Sequence, residues 1–131
     1  MDMIIDFPGR ARVDAHFGNF TVVTDQPSSA GGRGVAPSPF SYFIASLGTC
    51  SGMYVLDFLR QRNLPSENVR IVQRVTINPS TGLLENVEME IQIPPEVPEK
   101  YYRALIHSAS LCKIKEQMEA PPKFNITTRS V

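Results

Sequence analysis

The chain has no tryptophan, and only two cysteines and two histidines among its 131 residues. Without an indole it has no large aromatic binding platform. Two histidines, no CxxC pair and no paired-histidine spacing leave no ligand set for zinc. Two cysteines in a compartment that keeps thiols reduced do not make a structural framework. Such pairs are redox-active, catalytic or free. Net charge is missing too: Lys and Arg total 13, as do Asp and Glu. That balance argues against nucleic acid or an anionic membrane as partner. There is no block of like charge, no low-complexity tract and no repeat of fixed period. The longest apolar candidate, residues 40–59, is interrupted by Ser41, Ser46, Gly48, Thr49, Ser51, Gly52 and Asp57, so no membrane span is expected. The opening "MDMIIDFPGR" lacks the basic region and apolar stretch of a secretory signal, and the expected location is the cytoplasm.

What is present suits one domain spanning residues 1–131. Apolar residues make up 42% of the chain, too many for disorder and enough for one modest core. "ARVDAHF" alternates Val13, Ala15 and Phe17 against Arg12, Asp14 and His16. "GN" then makes a two-residue turn, and "FTVVTD" returns as the second strand of a hairpin. "QPSSAGGRGVAPSP" follows, mostly Gly, Pro, Ser and Ala, with Arg33 its one charge. A connection of this length is functional, wraps a partner, or is a mobile linker. Asp25, just before it, reads as turn chemistry.

Ser38 and Pro39 then open a long helix as cap and first helical residue. Phe40, Phe43, Leu47, Cys50, Tyr54 and Phe58 recur at three- to four-residue spacing, with Ile44, Val55 and Leu59 widening the stripe. Such a helix is expected to be central and largely buried. Pro65 forbids its continuation. "NVRIVQRVTINP" and "LLENVEMEIQI", joined by "STG", form a second hairpin. Gln73 interrupts its apolar face, and Asn86, Glu88 and Glu90 line a solvated one. A second helix starts near Pro98, with Tyr102, Leu105, Ile106 and Ala109 as its apolar side. Cys112 lies at or just past its end, before a short helical piece, "KIKEQMEA". "KFNITTRSV" reads as a closing strand. The element order is ββαββα(α)β, an antiparallel α+β domain.

The chemistry rests on Cys50 and Cys112. A free cysteine on a helical stripe behaves as a small hydrophobe, and core filler is one reading of both. Cys112, beside Lys113 and close to Lys115, suggests a thiolate instead. Gly48, Thr49, Ser51 and Gly52 leave room around Cys50 for close helix packing or for a substrate. Burial on an apolar stripe pushes a thiol pKa up, so Cys50 needs a nearby cation to react well. His16 and His107 are weak candidates for a Cys–His hydrolase. Tyr42, Phe43, Tyr54 and Phe58 read as core or interface.

"SAGGRGVAPSPFSYFIASLGTCSG", followed by a lone "LC" about sixty residues on, resembles the OsmC/Ohr family of thiol-dependent hydroperoxide reductases. The likeness covers nearly the whole chain and matches a less characterised OsmC-like branch. It implies an intertwined homodimer with its site at the interface. Cys50 matches the peroxidatic cysteine, which forms a sulfenic acid. Cys112 matches the resolving cysteine, which condenses with it to a disulfide. A dithiol or lipoylated protein restores both thiols, and no metal or flavin is implied. One feature departs from the family. Its best-studied members place a Glu right after the Pro, paired to an Arg that stabilises the thiolate, and here that position is Phe40. The Arg is open among Arg33 in the Gly-rich segment and Arg10 or Arg12 in the first strand region. The alternative to a peroxidase is a non-catalytic relative that binds a small apolar ligand or senses redox state.

Overall fold

The computed structural model describes residues 1–131. The chain divides into two compact units, residues 1–46 and 47–131, each with its own antiparallel sheet. With three helices, the architecture is α+β as expected from the sequence.

In the first unit, β1 (Ile4–Gly9), β2 (Arg12–Phe17) and β3 (Phe20–Thr24) lie in that spatial order. The hairpin read from "GN" is formed: Phe17 faces Phe20, and Gly18 takes a φ of 54°, the positive value a two-residue link needs. β1 is an addition to the expected order. It pairs Ile4 with His16 and Ile5 with Ala15, then loses register between Asp6 and Gly9. Pro8, with no N–H to give the ladder, lies in that break. The expected polar face of β2 is not all solvated. Asp14 is 5% exposed, while Val13, Ala15 and Phe17 are only half-buried.

The Gly-rich segment is a built loop, not a linker. The Asp25 carboxylate accepts from three backbone N–H groups, those of Gln26 (2.8 Å), Arg33 (3.2 Å) and Val35 (3.2 Å). Gly34 N–H donates to the Gln26 carbonyl at 3.0 Å, drawing the loop back on itself. Gly32 is obligatory here, because any Cβ would overlap that same carbonyl. The backbone donors hold the Asp25 carboxyl below its usual range, the Gln26 N–H most of all.

α1 (Pro39–Gln61) begins as its sequence indicates: Ser38 Oγ accepts from Ser41 N–H at 3.2 Å, and Pro39 is the first helical residue. Within the second unit its buried residues are Leu47, Ser51, Val55, Phe58 and Leu59, one stripe at i, i+4 spacing. The expectation of burial around most of the circumference fails: Met53 is 66% exposed. By length and composition alone α1 could cross a membrane, but a core helix with a packed stripe passes the same test. Asn63 at φ 52° ends the helix, with Leu64 N–H returning to the Leu59 carbonyl at 2.9 Å before Pro65. Arg62 lies over the Phe58 ring, 3.6 Å from its centroid.

β4 (Arg70–Ile77) and β5 (Leu84–Gln92) form the second hairpin, with Ile71 opposite Ile91 and Gln73 opposite Met89. The core gathers Val55, Phe58 and Leu59 of α1, Val97, and Leu105 of α2 (Tyr102–Ser110), against Ile71, Ile91 and Ile93. α3 (Lys113–Glu119) follows. The expected closing strand is not formed. Residues 121–131 pair with no strand of this chain, and Phe124 and Ile126 are almost fully exposed. A strand exists only where a neighbour takes its N–H and C=O groups, and none does so here.

Candidate functional site

The two thiols, far apart in sequence, are brought to one place: Cys112 lies against the turn of α1 that carries Cys50, and its side chain is among the groups that lower the Cys50 pKa. Each is placed by a helix. Cys50 lies on α1 between the buried Leu47 and Ser51, where the helical repeat turns it partly toward the core. Cys112 is the N-cap of α3, 5% exposed, its φ and ψ of −58° and 117° leaving the helical region just before the new helix starts. Its Sγ accepts from Lys115 N–H at 3.3 Å and lies 4.0 Å from the Leu47 carbonyl. Both cysteines are free.

The electrostatics of Cys50 differ from the sequence expectation. Its pKa is lowered, and the largest cause is the backbone N–H of Ile114. Desolvation opposes this, and the Cys112 thiol, the Lys113 N–H and the Lys113 charge reinforce it. Residues 113 and 114 open α3, so their N–H groups have no intrahelical acceptor and are free to meet a sulfur. Burial alone does not set the thiol, because the next helix brings donors to it. Lys113 contributes both a charge and an amide, which the Lys113 and Lys115 neighbourhood hinted at. The Ile114 amide carries no sequence signal, since any residue but proline supplies an N–H.

The small residues around Cys50 have a packing role. A Cβ at Gly48 would lie 3.0 Å from the Gln73 side-chain oxygen, so Gly48 admits the one polar side chain on the inner face of β4. At Gly52 a Cβ would make ordinary contact with Ile71, 3.9 Å away. Access lies elsewhere. A cavity of about 740 Å³ opens on Cys112, walled by Leu47, Ser51, Met89, Ile91 and Ile106, with Lys115 at its margin. It is large enough for a small organic molecule and mostly apolar. No local pattern of residues marks this space beside the second thiol, because its walls come from α1, β5, α2 and α3 together.

The three candidate arginines are brought together, but with one another. Arg10, Arg12 and Arg33 line a cleft of about 410 Å³ in the first unit. Phe40, in the place of the family's Glu, stacks with Phe43 at 5.9 Å. His16 bonds Asp6 and Thr21, each at 3.1 Å, and neither histidine is among the groups that act on Cys50. No group of three or more His, Cys, Asp or Glu side chains is placed to hold a metal ion.

An antiparallel α+β domain that sets a thiol on its long helix against a second thiol at a helix cap defines a two-cysteine class of protein. Residues 31–127 match the model of the OsmC-like protein family, and the chain belongs to that family. It is similar in fold to a protein of Psychrobacter arcticus 273-4 described as an osmotic stress induced and detoxification response protein. That likeness has 20% identity and a TM-score of 0.76, covering 88% of this chain and 85% of the other. It is also similar to the OsmC organic hydroperoxide resistance protein of Legionella pneumophila, at 20% identity and a TM-score of 0.60, covering 90% of this chain and 89% of that one. A comparison with curated protein sequences finds no match. Family membership supports a redox or stress-related role.

Proposed function

We propose that the protein reduces organic hydroperoxides through Cys50 and Cys112, as a cytoplasmic homodimer. One observation carries the reading: the Cys112 sulfur lies 4.0 Å from the Leu47 carbonyl, on the turn of α1 that carries Cys50, and the Ile114 N–H lowers the Cys50 pKa. The Cys50 thiolate attacks the distal peroxide oxygen. The O–O bond breaks, the leaving alkoxide takes a proton and departs as the alcohol, and Cys50 becomes a sulfenic acid. The Cys112 sulfur then attacks the Cys50 sulfur, water leaves, and a disulfide forms. An external dithiol or lipoyl group, itself oxidised to a disulfide, returns both thiols.

The apolar cavity opens on Cys112 and is not lined by Cys50, so it offers room for the carbon skeleton of an organic peroxide beside the resolving thiol. The family resemblance implies a counter-cation for Cys50 and leaves it open among Arg33, Arg10 and Arg12. The donors from α3 offer the thiolate a second source of support where Phe40 replaces the Glu. Dimerisation accords with the exposed apolar side chains of Ile4, Phe7, Phe124 and Ile126. The same cavity also accords with the alternative, a non-catalytic binder of a small apolar molecule.

Thiol counting before and after one equivalent of cumene hydroperoxide separates the two readings. Rapid loss of both thiols in wild type is expected. A trapped sulfenate is expected in Cys112→Ser and no rapid loss in Cys50→Ser. Thiols that stay reduced, or oxidise equally slowly in all three proteins, would sink the peroxidase reading and leave the binder.

A further inference from the structure

Arg10, Arg12 and Arg33 come from three separate places, the turn after β1, the start of β2 and the Gly-rich loop, yet they line one cleft. We propose that this cleft binds a small carboxylate-bearing molecule, whose carboxylate is gripped by the guanidinium groups of Arg10 and Arg33.

The charge balance selects the ligand. Arginine stays protonated in a protein, so the cleft holds three fixed positive charges. Two carboxylates oppose them. Asp14 pairs with Arg12. Asp25 lies in the wall with its oxygens already taken by the backbone N–H groups of Gln26, Arg33 and Val35. One positive charge is left over, which suits a monoanion. The side chains of Arg10 and Arg33 make no hydrogen bond or ion pair within the chain. The Arg12 Nε is buried with no acceptor. The Asp14 Oδ1 beside it is likewise buried without a partner, so this pair is closed on itself and the cations open to a ligand are Arg10 and Arg33.

Geometry and placement agree with the charge. A guanidinium presents paired N–H groups that match the two oxygens of a carboxylate. Both free arginines sit on fixed backbone. Arg10 holds a φ of 53°, uncommon for any residue but glycine, in the turn that follows Gly9. Arg33 is held through its own N–H on Asp25, in a loop where Gly32 admits no side chain. Pro8 and Val35 add apolar wall beside the cations. A cleft of about 410 Å³ is more than a bare carboxylate fills, so the ligand carries a carbon skeleton.

The test uses the full chain in its resting dithiol form, without peroxide, so it reads binding independently of thiol chemistry. Sodium benzoate is titrated into labelled protein and followed by amide shifts. Saturable shifts confined to residues 9–12 and 26–35 are expected. The Arg10→Gln/Arg33→Gln double variant should bind at least about tenfold more weakly, the scale of one lost charge-assisted bond. Arg33→Lys keeps the charge but loses the fork, and should bind severalfold more weakly. It decides the matter if the double variant does not fold. Absence of saturation, shifts centred elsewhere, or affinity unchanged in Arg33→Lys would overturn the site. Inorganic phosphate binding about tenfold more tightly than benzoate would overturn the carboxylate assignment.

Discussion

Replacing Leu105 with alanine tests whether the α2 core holds the second thiol in place. Leu105 is 0% exposed and packs with Val55, Phe58, Leu59 and Val97. The change removes three carbons, and at about 0.8 kcal/mol per buried methylene the transfer loss is ~2.4 kcal/mol. The cavity left behind raises the expected loss to about 3–4 kcal/mol, because a packed core closes only partly around it. For a chain of this size that corresponds to a fall in Tm of roughly 10 °C. Far-UV circular dichroism during thermal and urea unfolding, at one fixed protein concentration, reads both quantities. Leu105→Met conserves volume and should cost less than about 1.5 kcal/mol. The alanine variant carries a second consequence. α2 supplies Tyr102, Ile106 and Ala109 to the cavity wall and ends just before Cys112. Loosening it should slow formation of the Cys50–Cys112 disulfide more than formation of the sulfenate. A loss below about 1 kcal/mol would refute the packing argument, because no fully buried leucine in a closed core is that cheap to truncate.

Ile114→Pro deletes the N–H that most lowers the Cys50 pKa, at a first-turn position where proline is best tolerated. The pH profile of Cys50 alkylation should move to higher pH, while Ile114→Val leaves it in place. Gly32→Ala should destabilise the protein by about 1–3 kcal/mol, since the new methyl meets backbone and not a movable side chain. Gly52→Ala should stabilise it by about 0.5–1 kcal/mol through helix propensity, its Cβ meeting only Ile71 at ordinary distance. The Asp25 carboxyl is lowered from its usual 3.8, so its contribution is complete above that value and is lost as pH falls through the lower folded pKa. Acid unfolding of Asp25→Asn should accordingly be less steep than that of wild type.

Much of the fold was legible because its signals are local. The Gly-Asn turn, the Ser38–Pro39 cap, the alternation of Val87, Met89 and Ile91, and the Pro65 stop each follow from the conformations those residues allow. β1 was missed because Pro8 and a register break disguise its period. The segment "KFNITTRSV" has strand character, but character alone supplies no neighbour to pair with.

By itself, then, the sequence determined the α+β class, the long helix, the second hairpin and the family resemblance, all properties of neighbouring residues and their spacing. It also marked Cys50 and Cys112 as the residues to watch. Only the tertiary structure decided what surrounds them. It placed the α3 amides on the Cys50 thiol, filled the space beside Gly48 with Gln73, and opened the cavity on Cys112. It also gathered Arg10, Arg12 and Arg33 around Asp25. The reason is physical: hydrogen bonds, desolvation and charge act through a few ångströms of space, and residues sixty positions apart acquire that distance only when the chain folds.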